Sequence, residues 1–277
     1  MITGEAKLAG VLGWPVRHSR SPILHNFWLR KHGIDGAYVP LPVAPEHFAE
    51  AVRGLHAAGF RGANVTIPHK EAALAICTRV DRAAERAGAV NTLLFSGDQI
   101  IGTNTDGAGF IANLRAHGIE PSTGPALVLG AGGAARAIAA ALLDRGVRVS
   151  IANRSLERAQ ALAETLPGLQ VLYWQERHAA VAHHALLVNA TAGGLHPAAP
   201  LDQDFSRAAA HMAVADIVYT PLMTKFLADA AQHGLRTIGG LGMLLHQAVP
   251  GFAQWFGPTP TVDQELFNAV AADIPPI

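Results

Sequence analysis

The sequence predicts an α/β fold in two domains, the second Rossmann-like. Three observations lead there. A chain of 277 residues, half of them hydrophobic, exceeds the usual span of one domain, roughly 100–200 residues. Short apolar runs alternate with helix-like stretches along most of the chain, the pattern of parallel strands joined by crossover helices. Residues 130–136, Gly-Ala-Gly-Gly-Ala-Ala-Arg, lie between the apolar run Pro125–Leu129 and the Ala-rich helical stretch Ala134–Leu143. Strand, glycine turn and helix together form the context of a dinucleotide-binding fingerprint. In that reading Gly130 makes the tight turn and Gly132 lets the backbone approach a pyrophosphate. Ala135 is the third small position, where the helix packs against the strand, and the first N–H groups of the helix face the phosphates. The turn sits in mid-chain, so the region before it is expected to hold the substrate.

Taken in order, Lys7–Gly13 reads as a strand and Ser21–His32 as a helix opened by Ser-Pro. Ala37–Val43 reads as a strand, and Pro45–Ala58 as a helix ended by Gly59. Gly62–Ile67 is a strand, followed by helical material over His69–Ile76 and Arg82–Ala87. Asn91–Phe95 and Gln99–Gly102 predict a hairpin turning at Ser96-Gly97-Asp98. Gly107–His117 is helical, and the turn-rich segment 118–124 precedes the fingerprint strand, so the domain change is placed within 106–124. Alternation continues with the strand Val147–Ala152, the helix Ser155–Leu166, and the strands Leu186–Asn189 and Val214–Val218. After Gly239-Gly240 come the helices Met243–Phe256, which Pro250 is expected to kink or interrupt, and Val262–Ala271.

Lys plus Arg and Asp plus Glu are equal at 21 each, which argues against nucleic acid or a membrane surface as the partner. The single cysteine, Cys77, forms no intrachain disulfide and fits a reducing compartment. The N-terminus has no signal-peptide pattern, and no apolar run is long enough for a membrane helix. The expectation is a soluble, cytoplasmic protein with a small-molecule substrate. The 14 histidines show no metal-site spacing, and no metal is expected. Nor is there a Ser-centred nucleophile elbow.

NAD sites usually carry an acidic residue at the end of the second fingerprint strand, on the ribose 2′-hydroxyl. Here that end reads Asn153-Arg154-Ser155, with Arg158 one helical turn on. No carboxylate stands there to repel a 2′-phosphate, and two guanidinium groups at i and i+4 can clamp one. The plain alternative is an arginine pair on a solvated helix face. Their place in the pattern favours NADP(H).

On the substrate side, 13–22 read Gly-Trp-Pro-Val-Arg-His-Ser-Arg-Ser-Pro after the first strand. Ser21 is placed as N-cap and Pro22 as the first helical residue. A helix start with hydroxyls is a natural carboxylate site. Ser21 could be a cap alone, but Ser19 has no evident structural task.

With these stretches the chain resembles the shikimate dehydrogenase family. Further matches are Asn64-Val-Thr66-Ile-Pro68-His-Lys70-Glu71, Ala89-Val-Asn91-Thr92 and Asn104-Thr-Asp106-Gly107. Toward the C-terminus stand Asn189-Ala-Thr191, Asp216-Ile-Val-Tyr219-x-Pro221 and Gly240-Leu-Gly242-Met243-Leu-Leu-His246-Gln247. The resemblance implies NADPH-dependent reduction of 3-dehydroshikimate to shikimate. It implies an N-terminal α/β substrate domain over 1–106, a Rossmann-like NADP domain over 107–241, and C-terminal helices from 242 to 277 that return to the first domain. It implies Ser19 and Ser21 on the substrate carboxylate, with Tyr219 nearby. Thr66, Lys70, Asn91, Asp106 and Gln247 would surround the ring hydroxyls, with Asn64 near Lys70. The implied cofactor set is Gly130, Ala131, Gly132, Gly133, Ala134, Asn153, Arg154, Ser155, Arg158, Thr191, Gly240 and Met243.

Carbonyl reduction needs a hydride, a proton and stabilisation of the developing alkoxide. Lys70, at a strand-to-helix turn, is the expected proton-transfer group, and Asp106, at the domain junction, its carboxylate partner. Without the resemblance, Lys70 reads as a surface charge, Asp106 as a helix cap, Gln247 as an exposed helix residue and Met243 as core. The chain departs from the family at two positions: Ser155 where the family often has Thr, and His69 where it often has an aromatic. The rivals are a quinate/shikimate dehydrogenase of broader cofactor use, a non-catalytic metabolite-binding paralogue, and an enzyme of another hydroxy acid. Hinge closure near Asp106 and Gly239-Gly240 is a further expectation. The oligomeric state is not legible.

Overall fold

The computed structural model describes residues 2–194 and 199–276. The chain divides into two compact units, Met1–Thr105 with Gln247–Ala272, and Asp106–His246 with Asp273–Ile277. The return to the first unit thus falls inside a helix, five residues beyond the break at 241/242 read from sequence. A helix that runs through a boundary leaves no turn residue to mark it. The tail was expected to return with the helices; instead, Leu222 N and Met223 N donate to Pro275 O and Pro276 O at 2.9 Å each and hold it in the second unit.

The first unit contains the strands β1 (Lys7–Gly13), β2 (Gly36–Pro42), β3 (Gly62–Val65), β4 (Arg79–Val80), β5 (Thr92–Ser96) and β6 (Gln99–Thr103) in the order β2-β1-β3-β5-β6-β4. The sheet is mixed: β1 pairs in parallel with β2 and β3, β5 is antiparallel to β3 and β6, and β4 lies parallel to β6. The β5–β6 hairpin pairs Ser96 with Gln99, so its loop is Gly97-Asp98 rather than the three residues expected. Gly97, at φ 54°, takes the left-handed turn conformation that glycine tolerates.

Interleaved with these strands are α1 (Ser21–Lys31), α2 (Phe48–Ala57), α3 (Lys70–Ile76) and α4 (Arg82–Ala87). Leu12, Phe48, Val52, Val65, Ala73 and Leu93 form one apolar core of this unit. A second packing group is aromatic: Trp28 of α1, Tyr38 of β2, and Phe252, Trp255 and Phe256 from the C-terminal region enclose His25 and one another. Trp28 Nε1 donates to Thr261 O at 3.0 Å and Trp255 Nε1 to Leu93 O at 2.9 Å, so each indole N–H is satisfied.

The second unit contains α5 (Asp106–Ala116), β7 (Ala126–Leu129), α6 (Gly133–Leu143), β8 (Val149–Ala152), α7 (Leu156–Thr165), β9 (Leu169–Leu172), α8 (Arg177–Ala180), β10 (Leu186–Asn189), β11 (Ala213–Asp216), α9 (Lys225–Gln232) and β12 (Arg236–Ile238). Its sheet, ordered β12-β11-β10-β7-β8-β9, is parallel throughout. That is the doubly wound order, in which a ligand binds at the carboxyl ends where the strand order reverses. β7, β8 and β10 are buried at every position, as parallel strands covered on both faces require. Gly107 sets the approach of α5 to α6, because a Cβ there would lie 2.6 Å from Ala137 O.

Two helices close the chain, α10 (Leu241–Phe256) and α11 (Gln264–Ala271). α10 contains Pro250 and is assigned as one helix across it, so the expected interruption does not occur.

Candidate active site

In the second unit, β7 delivers Gly130 to the turn at φ 109°, a conformation side chains avoid. A Cβ on Gly130 would also lie 2.8 Å from Ala190 O. Ala135 is fully buried against the strand, in the small-residue place the fingerprint assigns it. Gly132 is the N-cap of α6 and supplies no capping side chain, so its first N–H groups face outward without one. Nothing lies within 4 Å of where a Cβ on Gly132 or Gly133 would be.

The turn borders a cavity of about 360 Å³ lined by Gly130, Ala131, Gly132, Asn153, Arg154, Ser155, Arg158, Trp174, Ala190, Thr191 and Ala192. Two arginines and no carboxylate are in this lining. A backbone cradle open to a pyrophosphate and a pair of cations fit an NADP-type ligand by the chemistry of the donors alone. The residues implied for the cofactor thus come together here, with Gly133 and Ala134 on the adjoining helix turn. Two further residues of the set lie neither in the lining nor on that turn. Met243 is buried in the apolar core of the unit, and Gly240 packs on the backbone of β11's end, where a Cβ would meet Ile217 O and Asp216 O.

Ser155 caps α7, accepting from Arg158 N at 3.3 Å, and its hydroxyl donates to Glu157 Oε2 at 2.7 Å. The Glu157 carboxylate thus engages that hydroxyl, although among the described residues no carboxylate lines the cavity. It is held below the usual carboxylate range first by that hydroxyl. Asn153 Nδ2 donates to Ser155 O at 2.8 Å and fixes the same turn.

Thr191 is placed by a buried network. Its N and Oγ1 donate to Asn189 Oδ1 at 3.0 and 2.7 Å, and Asn189 Nδ2 donates to Asp216 Oδ1 at 3.0 Å. Asp216 also accepts from Val218 N at 3.0 Å and Thr224 Oγ1 at 2.7 Å. Burial pushes the Asp216 carboxyl up to about 6, against the opposing effect of these donors. Tyr219, next after Val218, is half-buried before the cis Thr220–Pro221 bond. In the sequence Asp216 and Asn189 stand out only as family matches, and Thr224 not at all. A polar residue at the carboxyl end of a buried strand is the signal that marks the first two.

In the first unit, Ser21 and Pro22 are the first two helical residues of α1, and the N-cap position belongs to Arg20 without a side-chain cap. Ser21 is therefore not the expected cap. Its hydroxyl instead reaches the Tyr38 phenol. Ser19 does have a structural bond: its Oγ accepts from Ser21 N at 3.3 Å.

Asn64 of β3 accepts from Tyr38 Oη at 2.6 Å and donates to Asn91 O at 3.2 Å and Thr92 Oγ1 at 3.1 Å. Both its amide hydrogens are thus used within the protein. Asn91 Nδ2 donates to Thr105 Oγ1 at 2.9 Å and Gln247 Oε1 at 3.3 Å, and Asn91 Oδ1 accepts from Thr105 N at 2.9 Å. Gln247, exposed on the unaided reading, is buried in this cluster, and Thr105 joins it unannounced by any motif. Thr66 follows β3 with its methyl against Gly13, where a Cβ would lie 2.6 Å from Thr66 Cγ2.

Lys70 is half-buried as the first residue of α3, at the strand-to-helix turn read from sequence. Its carbonyl accepts from Val90 N at 2.9 Å. His69 before it keeps the aromatic packing, stacked on Phe48 at 4.6 Å with Nε2 against Val43 O at 2.8 Å. Asp106 is the buried first residue of α5. Among the described residues no group of three or more metal-type ligands exists.

Residues 11–93 match the family described as shikimate dehydrogenase substrate binding domain, and residues 115–220 match shikimate/quinate 5-dehydrogenase. The shikimate dehydrogenase (NADP(+)) of Acidiphilium cryptum is 62% identical over 274 residues, 99% of each chain. That of Gluconobacter oxydans is 55% identical, again over 99% of each chain. Among solved structures, shikimate 5-dehydrogenase of Thermus thermophilus, in complex with NADP(H) and shikimate, superposes with a TM-score of 0.87 at 40% identity, covering 96% of this chain and 98% of that one.

Proposed function

The chain belongs to the shikimate dehydrogenase family, and from that premise we propose that it catalyses the reversible NADPH-dependent reduction of 3-dehydroshikimate to shikimate. This is a step of aromatic amino-acid biosynthesis. The observation that carries the reading is its full-length likeness to NADP-linked shikimate dehydrogenases. The glycine turn and the Arg154–Arg158 pair on one cavity agree with it.

When bound, NADPH supplies the hydride that reduces the ketone carbon. Lys70 hydrogen-bonds the ketone oxygen and donates a proton to it as negative charge develops there. Asp106 is the carboxylate partner that orients Lys70. Ser19 and Ser21 hold the substrate carboxylate, with Tyr219 beside it. Thr66, Asn91 and Gln247 bind the ring hydroxyls. Asn64 borders the substrate site and, with both amide hydrogens committed inside the protein, holds Asn91 and Thr92 in place. Arg154, Ser155 and Arg158 bind the 2′-phosphate, and Gly130, Ala131, Gly132, Gly133, Ala134, Asn153 and Thr191 line the nucleotide. On the family's pattern, Gly240 and Met243 complete the cofactor site.

Quinate dehydrogenases share one of the two family descriptions. Arg154 in the cavity lining, at the place where an NAD enzyme would carry an acid, favours the NADP-linked reading. We place the enzyme in the cytoplasm, acting on small molecules alone. Among the described residues no helix is long and apolar enough to cross a membrane.

Incubation of the purified protein with 3-dehydroshikimate and NADPH as the sole reductant, with the product identified by chromatography, tests the proposal. Shikimate is the expected product. Consumption of neither reagent would overturn it.

A further inference from the structure

The cavity beside the glycine turn has a single aromatic ring among its described lining residues, that of Trp174. Trp174 opens a short helical turn directly after β9. The turn is tied by its own ends, since Tyr173 N donates to Glu176 Oε2 at 2.7 Å.

Behind the indole stands Arg177, with its guanidinium carbon 4.2 Å from the ring centroid. That guanidinium is itself pinned. It is buried, and its Nη1 and Nη2 donate to Trp174 O at 2.8 Å and Asp202 O at 3.2 Å. Trp174 also packs against the apolar cluster that includes Leu187, Leu201 and Phe205. A planar cation over one face holds the ring at a fixed tilt. The ring still lines the cavity, so it presents a prepared aromatic surface there rather than a mobile side chain.

The neighbours say which part of a dinucleotide this surface meets. Gly130 and Gly132 mark the pyrophosphate, and Arg154 and Arg158 mark the ribose 2′-phosphate. The base attached to that same ribose is adenine. An indole in the wall shared with the two arginines therefore faces the adenosine end, and a flat heteroaromatic base stacks on an aromatic side chain whatever its edge groups.

We propose that the indole of Trp174 is the stacking platform for the adenine ring of the cofactor in this protein. The proposal rests on the NADP-linked reading given above.

Titration calorimetry of the full chain and its Trp174→Ala and Trp174→Phe variants with 2′,5′-ADP tests it, with nicotinamide mononucleotide and shikimate as companion ligands. Trp174→Ala is expected to weaken 2′,5′-ADP binding roughly tenfold or more, the range for losing one base–aromatic stack. Trp174→Phe should recover most of that loss. Both variants should bind nicotinamide mononucleotide and shikimate as the parent does, since neither carries adenine. Adding 2′,5′-ADP should change the tryptophan fluorescence of the parent but not of Trp174→Phe. Unchanged 2′,5′-ADP affinity in Trp174→Ala would overturn the proposal, as would an equal loss for all three ligands. Should the parent protein itself fail to bind 2′,5′-ADP, the NADP-linked reading falls with it.

Discussion

The Tyr38 phenol donates a 2.6 Å hydrogen bond to Asn64 Oδ1. The same phenol meets the Ser21 hydroxyl, so one buried tyrosine ties the start of α1 to the end of β3. Both partners belong to the proposed substrate site, and neither bond is visible as a sequence spacing. Stacking on His25 at 4.0 Å holds the phenol ring from the side. Burial keeps that imidazole neutral, with its pKa near 3.

Tyr38→Phe therefore removes one oxygen and leaves Asn64 Oδ1 buried without its donor. The stability loss expected is about 1–3 kcal/mol, read as a lower urea midpoint. The KM for shikimate should rise, about fivefold for each kcal/mol of lost positioning, while kcat changes less because the phenol is not at the reacting atoms. An unchanged KM would remove Tyr38 from the account of the site.

Cofactor choice should respond to two substitutions in opposite directions. Arg154→Ala removes a cation from the cavity lining and should weaken NADP binding by about 1–3 kcal/mol while leaving NAD nearly untouched. Glu157→Gln removes the carboxylate that engages Ser155 and should strengthen NADP binding only slightly, because the charge is exposed and screened. Fluorescence titrations with both nucleotides read these changes. Loss of NAD affinity in Arg154→Ala equal to that for NADP would contradict the 2′-phosphate assignment.

Asp216 carries a pH signature. Its folded-state pKa, raised by burial from 3.8 to about 6, means the native state binds the extra proton between those values. That contribution to stability is full below the unfolded value and is lost as pH rises through the folded one. The difference in unfolding free energy between the parent and Asp216→Asn should therefore shift against the parent between about pH 4 and pH 6, by an order of 2–3 kcal/mol. Urea melts at half-unit steps check this, and parallel curves would refute it. Comparing the two proteins cancels the exposed carboxylates with lowered values, such as Glu120 and Asp263, whose slopes run the other way.

Gly107→Ala tests the packing of α5 on α6. The new methyl would start 2.6 Å from Ala137 O and 2.7 Å from Ala141 Cβ. Backbone must move to admit it, and a destabilisation of about 1–3 kcal/mol is expected despite the better helix propensity of alanine. A neutral or stabilised variant, judged by thermal melting, would show that the helices slide freely.

Much of the fold is legible in the sequence, for identifiable reasons. β7, the turn at Gly130 and α6 stand out because a buried parallel strand, a positive-φ glycine and an alanine helix each leave a strong local pattern. β9, α9 and β12 do not: four, eight and three residues long, they are too short for a clear periodicity and hold their places through neighbouring strands. Ser21 is misread as a cap because its hydroxyl is claimed by Tyr38 from another element. Gln247 reads as exposed because its burial depends on Asn91 and Thr105, 156 and 142 positions away. The Ser155–Glu157 contact spans only two residues, yet whether that carboxylate turns toward the hydroxyl is a rotamer choice that composition does not encode.

The most direct test of the central claim is the initial rate of nicotinamide reduction with shikimate or quinate, each paired with NADP or NAD, beside a Lys70→Ala control. The account predicts that shikimate with NADP dominates, and that the control loses about 10²–10⁴ in kcat, the range for removing a general acid–base group. Equal or faster turnover with quinate or NAD, or a Lys70→Ala protein as fast as the parent, would contradict it.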